Sequence, residues 1–279
     1  MATEAVATEG EVTSADGTRL FYRAWPRAEA THTFAVVHGL GDHSGRYARF
    51  AAGMSQRGMA TYALDLRGHG KSDGQRGHVD SWSQWTEDIA AFVGRVESLA
   101  PGEVIPVGHS FGGAAMLSTV LADKLKTSRR FVVSSPALKL KATVPAWKVS
   151  LGNFASRVFP RIALGNEVDP GTISRIPEVV DAYRNDPLVH NMISVRMYTE
   201  WQRATKDVLA HADRIPIPFL ILAGDADRLI DSAGSQELHE KAAARSTLHI
   251  LPGRYHEPFN DLDSDEVFDI IAAWAKMSS

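Results

Sequence analysis

The chain has 279 residues, of which 44% are hydrophobic and 23% are charged, as is typical of a soluble globular protein. Its 30 basic and 33 acidic residues give a formal net charge of −3, so the chain lacks the basic character of a nucleic-acid-binding protein. The absence of cysteine excludes disulfides, a thiol nucleophile and a zinc site built on thiolates.

The N-terminal sequence MATEAVATEGEV contains neither a basic segment nor an apolar core, so we expect no secretory signal peptide. No stretch approaches the run of about 18 apolar residues that a membrane-spanning helix needs. We therefore expect a cytoplasmic protein.

The first half of the chain alternates between short apolar runs and amphipathic stretches. Residues 11–25 predict a β-hairpin that turns at 14–17. The alternation then predicts strands at 33–37, 61–64, 104–107 and 131–133, and helices at 46–57, 82–99 and 111–125. The strands are apolar throughout, which indicates that they are covered on both faces. Strands that alternate with helices predict βαβ units and a mostly parallel sheet.

The alternation stops at residues 135–213, which contain no convincing strand. Apolar residues there recur at intervals of three and four, which predicts one apolar helix face: Val144, Trp147, Leu151, Phe154 and Val158. Basic residues lie on or near the same stretch: Lys139, Lys141, Lys148 and Arg157. We interpret 135–213 as an inserted, mainly helical cap over the carboxyl edge of the sheet.

The alternation resumes after this segment. It predicts strands at 219–222 and 248–251, a helix at 232–244, and a last helix that runs from Ser264, as its N-cap, to Ala275. The expected organisation is therefore a core formed by 1–134 and 214–279, with the cap at 135–213.

The strongest motif is Gly108-His109-Ser110-Phe111-Gly112, which matches G-x-S-x-G and lies between a predicted strand and a predicted helix. The chain must reverse there in a tight, strained turn that exposes the serine hydroxyl. Side chains two residues before and after the serine would collide, so small residues are required. The motif predicts an α/β-hydrolase fold with Ser110 as its nucleophile.

Serine is a weak nucleophile at neutral pH and needs a base. In this fold the base follows the nucleophile and the acid along the chain. Of the later histidines, His211 leads out of the cap, His239 lies in a predicted helix and His249 in a predicted strand. His256 lies just after the last strand, where a loop can reach Ser110, so we predict that His256 is the base.

The acid should follow the strand at 219–222 and orient His256. Asp225 and Asp227 both meet this condition. We favour Asp227, because Asp225 comes directly after Gly224, where an aspartate commonly turns the backbone. Spacing alone barely separates the two.

An oxyanion hole needs two backbone N–H groups. One should come from Phe111, directly after the nucleophile, and the other from the loop after the first parallel strand, where we choose the N–H of Leu40. The glycine-bearing turn at 65–72 lacks the spacing of a phosphate-binding loop. His69 and His109 are interpreted as scaffold residues, and Asp42-His43 has no third partner at ligand spacing, so we expect no metal.

Several segments resemble the monoacylglycerol lipase and lysophospholipase branch of the α/β-hydrolases. They are spread over nearly the whole chain: His38–His43, Tyr62–Ser72, Gly108–Gly113, Asp186–His190, Gly224–Leu229 and Tyr255–Glu257. Two positions depart from the pattern of this branch. Asp42 replaces the usual glutamate, and Phe111 replaces a common methionine, which puts the preferred acyl length in doubt.

The resemblance implies that Asp227 is the acid, that no cofactor is needed, and that the substrate is a single-chain lipid ester such as a monoacylglycerol. It also implies that apolar cap residues guide lipid and touch the membrane, although the cap stripe could equally pack on the core. Three alternatives stay open: a carboxylesterase for short soluble esters, a lysophospholipase, and a non-catalytic binding protein on the same scaffold. Dehalogenases and epoxide hydrolases of similar fold are disfavoured, because they carry aspartate where this chain has Ser110.

Overall fold

A computed structural model describes residues 7–142, 152, 154–166 and 168–277. Of the predicted cap stripe, Val144, Trp147 and Leu151 lie outside these residues, as does Lys148. Residues 154–158 are helical, and the side chains of Phe154 and Val158 are exposed to 64% and 51%.

Within the described residues, ten strands form two sheets. They are β1 (Thr8–Thr13), β2 (Arg19–Trp25), β3 (His32–Val37), β4 (Ala60–Leu64), β5 (Glu103–His109), β6 (Phe131–Ser134), β7 (Ala163–Gly165), β8 (Met192–Ser194), β9 (Phe219–Gly224) and β10 (Ser246–Leu251). The larger sheet has eight strands in the order β1-β2-β4-β3-β5-β6-β9-β10. Strands β1 and β2 pair antiparallel to their neighbours, and the remaining pairs are parallel. This arrangement is the predicted mostly parallel sheet.

The helices connect these strands and cover both faces of the sheet. They are α1 (Ala48–Gln56), α2 (Trp82–Leu99), α3 (Phe111–Leu121), α4 (Pro177–Asn185), α5 (Val195–Ala210), α6 (Ala233–Lys241) and α7 (Ser264–Ala275). One apolar core lies between the sheet and α2, α3 and α5, and a second lies between the sheet and α1 and α7. Successive residues of β3 alternate between them: Ala35 and Val37 enter the first core, and Phe34 and Val36 enter the second. The strand is therefore apolar along its whole length, as a two-sided sheet requires.

Most of the predicted elements agree with the structure to within a few residues, and two boundaries differ. Helix α3 ends at Leu121 instead of residue 125, because Asp123 adopts a left-handed conformation (φ 54°) that a helix cannot continue through. The N-cap of α7 is Asp263, also left-handed, and Ser264 is the first helical residue. Arg254 binds the carboxylate of Asp263 at 2.9 Å and holds it at this position.

The expectation that 135–213 lacks strands was wrong. Strands β7 and β8 pair antiparallel over three residues each. Runs of this length carry too little alternation to be recognised in a sequence. Of the described residues between β6 and β9, none joins the eight-stranded sheet.

The parallel strands bring distant loops together. Strands β3, β5, β6, β9 and β10 run in the same direction, so the loops that follow them meet at one edge of the sheet, where open α/β sheets bind ligands. Within the described ranges, every helix is too short or too polar to span a bilayer.

Candidate active site

The turn between β5 and α3 holds Ser110 in a strained conformation, with φ 54° and ψ −119°. Such a conformation costs a non-glycine residue about 1–3 kcal/mol and is found where surrounding structure enforces it. A Cβ on Gly108 would lie 2.6 Å from the Gly112 carbonyl oxygen, and a Cβ on Gly112 would lie 2.3 Å from the His38 carbonyl oxygen. These contacts are the collisions expected from the motif, and they explain why both positions are glycine.

Hydrogen bonds from neighbouring loops fix this turn. The Ser110 N–H donates to the carbonyl of Ser134 at 2.8 Å, and the Ser110 carbonyl accepts from the N–H of Ala137 at 2.9 Å. Both partners belong to the end of β6 or the loop after it. The peptide groups before and after the strained serine are therefore both held, which keeps its side chain at the edge of the sheet.

His256 lies beside Ser110, although 146 residues separate them in the sequence. Its Nε2 is 2.9 Å from Ser110 Oγ, and its Nδ1 is 2.8 Å from Asp227 Oδ2. An ionised Asp227 can only accept, so Nδ1 carries the proton and Nε2 is left to accept the serine O–H. The other late histidines lie elsewhere: His211 contacts Asp207, His239 contacts Ser246, and His249 lies in β10.

The structure separates the two candidate acids. Asp227 is buried and also accepts the N–H groups of Leu229 and Ile230 at 2.8 and 3.0 Å. Burial alone would raise the pKa of Asp227, but the adjacent His256 and these donors hold its pKa below the ordinary value. Asp225 is exposed, and its carboxylate accepts the Gly253 N–H at 2.6 Å, which links its loop to the turn after β10.

The loop after β3 passes directly over Ser110. A Cβ on Gly39 would lie 3.2 Å from the Cβ of Ser110 and 3.6 Å from its Oγ. Leu40 follows in this loop, and Phe111 begins α3 on the other side of the serine. No acceptor among the described residues takes the N–H of Leu40 or of Phe111. Both N–H groups are therefore available to a negatively charged oxygen.

The two histidines expected to be scaffold residues are buried. His109 Nδ1 lies 3.4 Å from Ser134 Oγ, and His69 Nδ1 lies 3.0 Å from the Arg67 carbonyl. Burial, followed by the charge of His256, lowers the pKa of His109 to about 4, so His109 is neutral next to the His256 ring. Within the described part of the chain, no cluster of histidine and acidic residues could hold a metal ion.

A cavity of about 390 Å³ opens above Ser110 and His256. This volume falls within the range of about 300–1,000 Å³ that ligand pockets usually have. Its described lining is mainly apolar and includes Phe111, Leu140, Ile193, Trp201 and Ile230. The ring of Phe111 packs edge-on against three tryptophans: Trp82, Trp85 and Trp201. Phe111, one of the two residues that depart from the branch pattern, is therefore a tightly packed part of the cavity wall.

Sequence reasoning missed the charged residues beside this cavity. Arg46 binds Glu257 through two hydrogen bonds of 2.7 and 2.8 Å, and it binds Asp42 at 3.1 Å. His43 Nε2 lies 2.9 Å from Asp186 Oδ2. The available signal was the position of these residues, since Glu257 follows His256 and both Asp42 and Asp186 lie in segments of the recognised pattern.

Comparisons with known proteins identify the family of this chain. The profile of the family described as serine aminopeptidase, S33 (Hydrolase_4) matches residues 28–263. A monoacylglycerol lipase of Mycolicibacterium smegmatis is 32% identical over 262 residues, which cover 92% of this chain and 93% of that protein. The crystal structure of Paleococcus ferrophilus monoacylglycerol lipase has a TM-score of 0.79 and 31% identity, and the match covers 96% of this chain and 98% of that one.

A third relative is much longer than this chain. An uncharacterized abhydrolase domain-containing protein of Dictyostelium discoideum is 32% identical over 266 residues, which cover 94% of this chain and 28% of that protein. The family profile, the full-length relative and the shared fold agree with one another. This chain belongs to the serine aminopeptidase S33 family of the α/β-hydrolase superfamily, and over nearly its whole length it is similar to monoacylglycerol lipases.

Proposed function

We propose that this protein is a carboxylic ester hydrolase that cleaves single-chain lipid esters, in the simplest case monoacylglycerol to fatty acid and glycerol. The observation that carries the proposal is the chain of hydrogen bonds from Ser110 to His256 to Asp227 at the base of an apolar cavity. Similarity to monoacylglycerol lipases supports the choice of substrate.

In the proposed reaction, His256 takes the proton of Ser110 as its oxygen attacks the ester carbonyl. The N–H groups of Leu40 and Phe111 bind the oxyanion that forms, and Asp227 stabilises the imidazolium. His256 then gives the proton to the leaving alcohol. Water, activated by the same imidazole, attacks the acyl-serine and releases the fatty acid.

Replacing the nucleophile tests this assignment. We expect Ser110→Ala to reduce kcat by about 10⁶-fold, because no other group can form the acyl intermediate. Steady-state hydrolysis of p-nitrophenyl butyrate measures the change, and circular dichroism controls for folding. A folded variant that retains turnover would refute the role of Ser110.

The two aspartates offer a matched pair of variants. Asp227→Asn should lower kcat by about 10⁴-fold, because an amide can no longer hold the required imidazole tautomer or stabilise its charge. Asp225→Asn, in the same loop, should change kcat by less than about threefold, since the asparagine side-chain oxygen can still accept the Gly253 N–H. The reverse order of effects would assign the acid to Asp225.

The cavity favours a neutral substrate over a peptide. An aminopeptidase must bind an α-ammonium group, which calls for a carboxylate that is free to pair with it. Among the described residues that line the cavity, the carboxylates are Asp42 and Glu257, and both already pair with Arg46. The apolar remainder of the wall suits an acyl chain.

The acyl chain should dominate specificity. Each buried CH₂ contributes about 0.8 kcal/mol, or roughly fourfold in affinity, so kcat/KM should rise from acetyl to octanoyl esters by far more than tenfold. We expect monoacylglycerols to be hydrolysed faster than lysophosphatidylcholine and diacylglycerol of the same chain. A series of p-nitrophenyl esters with these lipids measures both preferences.

Cleavage of acetyl and butyryl esters alone would instead identify a short-chain esterase. No cleavage, combined with failure of a fluorophosphonate to label Ser110, would indicate a binding protein.

We further propose that 135–213 is a cap and that it touches lipid surfaces. Five described residues near its start expose apolar side chains: Phe154, Val158, Phe159, Ile162 and Leu164, with exposed fractions between 51% and 65%. Arg157 and Arg161 are exposed among them and can attract anionic headgroups. This composition suits a surface that rests on a bilayer without spanning it.

Binding to vesicles tests the proposed surface. We expect the double variant Phe159→Ser/Leu164→Ser to bind vesicles of phosphatidylcholine and phosphatidylglycerol at least roughly tenfold more weakly than the parent protein, because two apolar anchors are lost. Leu99→Ser, which changes an exposed leucine at the end of α2, is the control and should bind normally. Equal sedimentation of all three proteins would contradict the proposal.

A further inference from the structure

Arg46 is a buried cation that contacts three separate segments around the cavity. It lies in the short 3₁₀ turn Ser44–Tyr47, after the loop that carries Leu40, and its side chain is only 9% exposed. Its guanidinium binds Asp42 and Glu257, and its Cζ lies 4.6 Å from the centre of the Tyr183 ring in α4. The arginine therefore joins the loop after β3, the loop after β10 and a helix of 135–213.

Glu257 connects Arg46 to the proposed base. It follows His256 directly, and its two carboxylate oxygens accept one N–H each from Arg46 in the planar arrangement that fixes both position and orientation. Asn260 donates to the same carboxylate at 3.0 Å, and the Glu257 N–H donates to the Ile173 carbonyl at 2.9 Å. The residue next to His256 is thus immobilised by its side chain as well as its backbone.

Asp42 connects the same guanidinium to the proposed oxyanion hole. It lies two residues after Leu40, and its Oδ1 accepts from Arg46 at 3.1 Å and from the His43 N–H at 2.7 Å. Burial alone would raise the pKa of Asp42, but Arg46 and then His38 keep its pKa below the ordinary value, so the carboxylate stays charged and the ion pair intact. One cation therefore fixes the ends of two loops that must act on the same carbonyl.

The contacts of Arg46 are with residues that line the cavity. The described lining of the cavity includes Asp42, Tyr183 and Glu257. Arg46 donates to both carboxylates through Nη1 and Nη2, and its guanidinium lies over the ring of Tyr183. These contacts favour an influence on the reaction through the residues that Arg46 holds.

We propose that Arg46 is a positioning residue that keeps the N–H of Leu40 and the imidazole of His256 in register with Ser110, through Asp42 and Glu257. This role rests on the proposed function. Displacing a reacting group by about 1 Å can cost a hundredfold in rate, so a fixed distance between the two loops matters more for turnover than for substrate binding.

The variants Arg46→Lys and Arg46→Met test this role on p-nitrophenyl butyrate and on a monoacylglycerol. We expect Arg46→Met to lower kcat by about 10- to 100-fold with KM changed less than about twofold, and by the same factor for both esters. Lysine keeps the charge but cannot form the paired hydrogen bonds of a guanidinium, so Arg46→Lys should recover only part of the kcat that Arg46→Met loses. Glu257→Gln, which keeps the side-chain shape, should show the same pattern if Arg46→Met fails to fold.

Arg130→Lys is the matched control. Arg130 is equally buried (8% exposed) and pairs with Glu103, at the opposite edge of the sheet. We expect the Arg130→Lys variant to lose as much thermal stability as the Arg46 variants while it keeps the kcat of the parent protein. Unchanged kcat in folded Arg46 variants would overturn the proposal, and so would a rise in KM confined to the monoacylglycerol, which would indicate contact with glycerol. A parent protein that hydrolyses neither ester would instead refute the proposed function.

Discussion

The turn at Ser110 is the constraint on which the site depends. The chain passes from β5 to α3 with almost no space, so Gly108 and Gly112 lie against backbone carbonyls and Ser110 adopts a conformation that side-chain-bearing residues avoid. The strain of about 1–3 kcal/mol is tolerated because the end of β6 and the loop after it bind the N–H and the carbonyl of Ser110. The same geometry directs the hydroxyl out of the sheet and leaves the first N–H of α3 without an internal partner.

Parallel strand pairing then assembles the rest. The proposed base, acid and oxyanion loop each follow a different strand, and they meet because parallel strands end at one edge. His256 is held by Asp227 at one ring nitrogen and contacts Ser110 at the other, while its carbonyl accepts the Ser135 hydroxyl at 2.9 Å. The contact between His256 and Ser110, which are 146 positions apart, therefore depends on the register of the sheet and on the hydrogen bonds that hold the loops.

Buried ion pairs recur where loops must be fixed. Arg46 with Asp42 and Glu257 supports the edge of the sheet that holds the cavity, and Arg67, in the glycine-bearing turn, pairs with the buried Asp88 of α2. Pairs of this kind contribute little net stability, because the free-energy cost of removing two charges from water nearly cancels their attraction. Removing one partner nevertheless destabilises the fold strongly, because it leaves a buried charge unpaired. Such pairs are therefore suited to fixing a geometry, which is what a site built from separate loops requires.

The sequence alone determined the alternation of strands and helices, the turn at Ser110 and the position of His256 after the last strand, because these features follow from local patterns of apolar residues and glycine. Turn chemistry and the resemblance favoured Asp227 over Asp225, but spacing barely separated them, since two residues in one loop differ only in which way they face. Sequence reasoning also missed β7 and β8, Asp263 as the cap of α7, and the charges gathered around Arg46. Only the tertiary structure decided these, because each depends on contacts between segments far apart in the chain, and no local pattern records which distant partner a side chain will meet.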